Sequence, residues 1–355
     1  PPMAGFMVGW LSFFAIFAGT VATLAIGFTI SLANLVPLTP VAKMAVAIAV
    51  IWFASAVNAY ATKAGAALNT STAYLKIAAL VLIVVLGPIL GHGRTAPEPL
   101  ASEGTASAAS FGVGLAPVLF SYLGWNASVF VAGEIESPGK NLPRSLFLGL
   151  GICTLIYVLV TATYVHALGM RALPGMPVVG IKAGQVLFGD LGGPILAVIM
   201  MASIFGTVGA NVLVGPRIAY AMATDGLFFR AAARLNAEQT PYLAVIGQAV
   251  VATILVIGFR ANERSLGEVL NYTTFAIVLA TIADTTALYV LRLREPNRER
   301  PYRAKGYPVV PLLYILANVA IAISMGIGKP VECLTSVAVL LAGAPIYLLF
   351  TFRRT

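Results

Sequence analysis

The chain has 355 residues, of which 59% are hydrophobic and 10% charged, with a formal net charge of +9 and a mean hydropathy of +0.92. A soluble domain carries about 25% charged residues, so a chain this poor in charge lacks the polar groups to cover a water-facing surface. A soluble enzyme, a nucleic-acid binder and a disordered tail are thereby excluded, and an all-α integral membrane protein is implied.

The chain starts Pro1-Pro2, without an initiator methionine, and an apolar run follows at once with no signal-peptide pattern. The expectation is a sequence that has lost upstream material. A membrane helix needs about 20 apolar residues. Runs of that kind cover residues 4–33, 44–62, 64–91 (interrupted only by Lys76), 104–133 and 145–170. Further runs cover 191–216, 239–259, 269–291 (interrupted only by Asp284), 306–328 and 333–352. Ten transmembrane helices are predicted, because barrel strands would be about 10 residues long and strictly alternating. Between the fifth and sixth runs, residues 178–190 have helical spacing and are expected to form an external helix on the membrane surface. Lys63, Lys140, Arg144, Arg230, Arg234, Arg353, Arg354 and the cluster from Arg292 to Lys305 fall on one side. The side richer in Lys and Arg is expected to be cytoplasmic, which puts the visible N-terminus and the C-terminus there.

The informative residues are those that cost energy in lipid. Lys76 lies about 16 Å of helix rise into its run, near mid-bilayer, where a lysine costs about 2.5–3.5 kcal/mol. It marks an ion or proton path, or else its helix begins near Thr72 and the side chain snorkels to the inner surface. Asp284 and Arg217 read as inner-boundary residues, Asp284 pairing with a loop arginine. His92 and His166 are isolated, so no metal site is expected. Cys153 and Cys333 sit in apolar runs and read as small packing residues.

The fourth run is the most unusual. It carries Gly112, Gly114, Pro117, Gly124 and Gly133 around Phe120-Ser121-Tyr122-Leu123-Gly124-Trp125-Asn126. Glycine weakens a helix by about 1 kcal/mol relative to alanine. A break of the helix within residues 121–126 is predicted, and such breaks occur at membrane depth only where they line a cavity. The other reading is close helix packing through small residues.

This stretch, followed by Gly133-Glu134-Ile135-Glu136-Ser137-Pro138-Gly139-Lys140-Asn141-Leu142-Pro143-Arg144, resembles the sixth helix and following loop of amino acid permeases of the amino acid–polyamine–organocation superfamily. Ala4-Gly5-Phe6-Met7-Val8-Gly9-Trp10 resembles the start of that family's third helix, and Gly215-Pro216-Arg217 through Gly226-Leu227-Phe228 the end of its eighth. Arg300-Pro301-Tyr302-Arg303 with Gly306-Tyr307-Pro308 resembles the loop before its eleventh. The resemblance spans the chain in order. It implies a LeuT-type fold of twelve helices, ten of them in two inverted repeats of five. Residues 1–355 would then be one transmembrane transporter domain holding helices three to twelve, without the first helix that binds the substrate carboxylate.

Carried over position by position, the resemblance makes Phe120 an occluding aromatic. Ser121, Tyr122 and Gly124 would form the break, with Trp125 and Asn126 bordering the pocket. It places Lys76 in the fifth helix, where some proton-coupled members have a lysine in place of a sodium site. Ser203 and Thr207 of the eighth helix are the hydroxyls expected beside it. Burial disfavours the charged form of an amine, which a proton switch needs. The implied function is secondary transport of an amino acid across the cell membrane by alternating access, by proton symport or by exchange for a second amino acid, with no cofactor. The substrate is expected to be neutral, because the pocket candidates carry no charge and Glu134 lies too near the inner end. An amino acid sensor that does not transport is a competing reading. A membrane enzyme fits poorly, because His and Cys clusters are lacking.

Overall fold

The computed structural model describes residues 2–60, 62–90, 108–125, 135–176, 178–260, 263–300, 302–304 and 306–352. All regular structure in them is helical. With no water in a bilayer to bond an open backbone, uniform apolar runs close their hydrogen bonds within themselves. The helices are α1 (Pro2–Ala33), α2 (Pro40–Tyr60), α3 (Thr62–Leu90), α4 (Ala108–Ser121), α5 (Pro138–Leu168) and α6 (Val179–Phe188). They continue as α7 (Gly192–Thr224), α8 (Tyr242–Gly258), α9 (Glu263–Arg294), α10 (Val309–Gly328) and α11 (Pro330–Phe352). Prolines open α2, α5 and α11, where a missing N–H leaves no bond unmade.

Among the described residues, eight helices are long and apolar enough to cross a membrane. They correspond to eight of the ten expected runs. The fourth and seventh runs yield shorter apolar helices, α4 with 14 residues and α8 with 17. The expected external helix is α6. Its Gly180, Ile181, Ala183, Gly184 and Leu187 are buried, and it packs on α5 and α7.

The core is organised around α1. In its most apolar stretch 72% of residues are buried, against 11% in α5. It touches α2, α7, α8, α9 and α11. Midway it widens into a π-helical segment, Ser12–Phe17, and the Thr20 hydroxyl donates to the Ile16 carbonyl at 2.6 Å. Phe13 of this segment joins a cluster with Phe6, Trp10 and Phe228, and Ile16 one with Leu11, Tyr272 and Ala276.

Three expectations are corrected. The helix that carries Lys76 does not begin near Thr72: α3 starts at Thr62, and Lys76 stands about 21 Å along it. Asp284 is exposed on α9 and has no arginine partner among the described residues. Cys333 is buried, but Cys153 is exposed on the open face of α5 and packs no core.

Candidate substrate and proton sites

Helix α4 ends at Ser121, inside the stretch expected to break. Residues 122–125 form a turn, and Gly124 takes φ 110°, a left-handed conformation that a side chain would disfavour. The ladder tightens as it ends: the Tyr122 amide donates to Val118 at 3.3 Å and the Leu123 amide to Phe120 at 3.0 Å. Phe120 lies half-buried in the last helical turn. Asn126 and Glu134 lie outside the described residues. The packing reading of the glycines also has a place, one residue-run earlier: the Gly112 amide donates to Ser324 Oγ at 3.0 Å where α4 meets α10.

The turn is held from two sides. Leu123 packs on the cluster built by α1 and α9. Tyr122 points the other way, to α5, where its hydroxyl donates to Thr154 Oγ1 at 2.9 Å and its ring meets that of Tyr157 edge-on, 5.2 Å between centroids. The Tyr157 hydroxyl donates to the Ser121 carbonyl at 2.9 Å. Ser121 turns its own hydroxyl back to Val118 at 2.7 Å. Below the turn, a groove of about 760 Å³ runs from Trp125 past Leu142, Leu146 and Leu150 to Arg298 and Arg300. At its mouth Glu295 hydrogen-bonds Arg298 at 2.7 Å, and this bond and the opposite charge hold the guanidinium above its usual pKa.

Lys76 is in a second place. Its Nζ donates to Thr207 Oγ1 at 2.9 Å, and the Thr207 hydroxyl donates onward to the Ser203 carbonyl at 2.9 Å. Ser203, Thr207 and Asn211 follow one another at four-residue spacing along one face of α7. Asn211 donates to the Thr207 carbonyl at 2.8 Å. A cavity of about 70 Å³ adjoins Lys76, lined also by Tyr164, Ser203, Leu80, Ile83 and Leu196. At ~30 Å³ per molecule it has room for about two waters. The close approach of α3 to α7 depends on Gly206, because a Cβ there would overlap the Thr72 hydroxyl.

A family profile described as amino acid permease matches residues 1–350. The chain belongs to the amino acid permease family. It is thus a membrane carrier and not an enzyme. The serine/threonine exchanger SteT of Bacillus subtilis (strain 168) is 28% identical over 349 residues, covering 97% of this chain and 77% of that protein. The human b(0,+)-type amino acid transporter 1 is 26% identical, covering 86% of this chain and 62% of its own length. The human large neutral amino acids transporter small subunit 2 is 26% identical, covering 65% of this chain and 42% of its own length. The chain therefore spans less than two thirds of both human relatives.

The structure brings Lys76, Thr207 and Ser203 together as expected from the sequence. It does not bring Lys76 to the break: Lys76 faces α7, whereas the break faces α5 on one side and α1 and α9 on the other. Sequence reasoning missed Thr154, Tyr157 and Tyr164. The signal was there in outline, since Tyr157 and Tyr164 stand seven residues apart in an otherwise apolar run and so share a helical face.

Proposed function

We propose that this chain forms a secondary transporter for a neutral amino acid, working by alternating access in the cell membrane. The observation that supports the reading is the end of α4 at Ser121 with the turn to Gly124, inside an apolar run, where backbone groups freed from the helix can serve a zwitterion. In this reading Phe120 covers the substrate, Ser121, Tyr122 and Gly124 shape its site, and Trp125 and Asn126 border it. Lys76, with Thr207 and Ser203, exchanges the coupling proton. The helices form ten of the twelve of a LeuT-type fold with 5+5 inverted repeats in one transmembrane domain, and both visible termini are cytoplasmic.

A neutral substrate is supported by the uncharged side chains of Phe120, Ser121, Tyr122 and Trp125, and by relatives named for serine/threonine and for large neutral amino acids. Lys76 supports proton symport, and the name of the bacterial relative supports exchange. The deciding experiment is uptake by the full-length protein in proteoliposomes, screened over the twenty amino acids, with and without a pH gradient and with and without internal amino acid. Neutral amino acids should compete for uptake and charged ones should not. Binding without counterflow would make the protein a sensor. Uptake that needs internal substrate and ignores the pH gradient would make it an exchanger without proton coupling.

A further inference from the structure

We propose that Tyr157 and Thr154 of α5 are positioning residues that set the shape of the substrate segment; this rests on the transport reading above. A helix that stops inside a membrane leaves carbonyls without amide partners, and each one left unmet costs several kcal/mol. A binding break must therefore keep some carbonyls for the ligand and have the rest taken by protein. The Ser121 carbonyl is one of the latter, capped by the Tyr157 hydroxyl at 2.9 Å. Tyr122 is withdrawn from the site in the same way. Its O–H donates to Thr154 Oγ1 at 2.9 Å, and the Thr154 O–H donates in turn to the Leu150 carbonyl at 2.8 Å. Every hydroxyl in the set thus has one donor role and a direction. The edge-on contact of the two tyrosine rings, at 76° between planes, holds both hydroxyls in place.

Within the turn the bond from the Leu123 amide to the Phe120 carbonyl fixes the end of the helix, but the side chains of Ser121, Leu123 and Gly124 do not fix its face toward α5. Ser121 bonds its own helix, Gly124 has no side chain, and Leu123 is fixed on the opposite side by α1 and α9. Helix α5 therefore selects the open conformation. Removing its hydroxyls lowers the fraction of molecules with a formed site, and apparent affinity falls by that fraction, while a molecule that has bound substrate turns over as before. The signature is a split of half-saturation concentration from maximal rate.

The test is zero-trans uptake of a neutral amino acid by full-length protein in proteoliposomes. Tyr157→Phe removes one hydroxyl and no ring. It should raise the half-saturation concentration about tenfold, the worth of roughly one hydrogen bond of 1.4 kcal/mol, with the maximal rate per folded molecule and the thermal midpoint kept. Thr154→Val and Tyr122→Phe should each act in the same direction, and the pair together no more than either alone. Thr154→Ser, which keeps the acceptor, should restore the wild-type value. Transport by the wild type with an unchanged half-saturation concentration in Tyr157→Phe and Thr154→Val would overturn the positioning role and leave the transport reading standing. A loss confined to folded yield or maximal rate would overturn it as well, by making the bonds merely structural. A wild-type protein that neither binds nor carries any amino acid would overturn both.

Discussion

Lys76 brings three N–H donors between α3 and α7, and among the described residues Thr207 supplies a side-chain acceptor. The one titratable neighbour lining its cavity is Tyr164 of α5; the other lining residues are uncharged. Lys76→Ala should abolish proton-driven accumulation and leave substrate binding partly intact. Accumulation at the wild-type level with an unchanged pH dependence would remove Lys76 from the coupling. Phe120→Ala should lower transport more than folded yield, because a half-buried side chain at the end of α4 contributes little packing. Normal transport per folded molecule, together with poor stability in detergent, would make Phe120 a packing residue. The partners of Lys76 were legible in the sequence, since Ser203 and Thr207 are hydroxyls in the middle of the run that family order sets against it. The partners of Ser121 and Tyr122 were not. Which carbonyl is left over depends on where the helix stops to within one residue, and no residue type in the run encodes that.

Helices α3 and α7 pack closely where Gly206 admits Thr72, one turn from Lys76 and one residue from Thr207. Gly206→Ala should push the pair apart, cost about 1–3 kcal/mol through overpacking and weaken the Lys76–Thr207 bond. Thermal unfolding in detergent would record the loss. Gly149→Ala on α5, where nothing lies within 4 Å of the added carbon, should instead be neutral or stabilising by up to about 1 kcal/mol. A larger loss at Gly149 than at Gly206 would contradict this account of the packing. The end of α4 at Ser121 was legible from a Ser, a Gly and an Asn within six residues of an apolar run. The shortness of α8 was not. Run length counts residues between charges, and an apolar residue in a turn or loop counts the same as one in a helix.

The ten apolar runs, their order and the bias of Lys and Arg to one side follow from composition and periodicity alone, because lipid leaves helices as the one open-ended way to satisfy a backbone. The position of α1 at the centre does not. Its composition is no more apolar than that of its neighbours, and only packing separates it from α5. Orientation has a direct test. With Cys153 and Cys333 replaced by serine and alanine, Ala172→Cys should react with a membrane-impermeant maleimide in intact cells. Asn297→Cys, on the loop carrying the arginine cluster, should react only after permeabilisation, and the reverse pattern would invert the topology. One further property follows from the length of α5. A single helix from Pro138 to Leu168 carries Tyr157, bonded to the Ser121 carbonyl, and about 10 Å further along the same face Tyr164, beside Lys76. A rod that touches both places would link them if it took a different position in the bound and the protonated states. Linkage is reciprocal: if a proton on Lys76 tightened amino acid binding about fivefold, bound amino acid would tighten that proton by the same factor. Driving ion and cargo would then each act as the other's effector, with no direct contact between them.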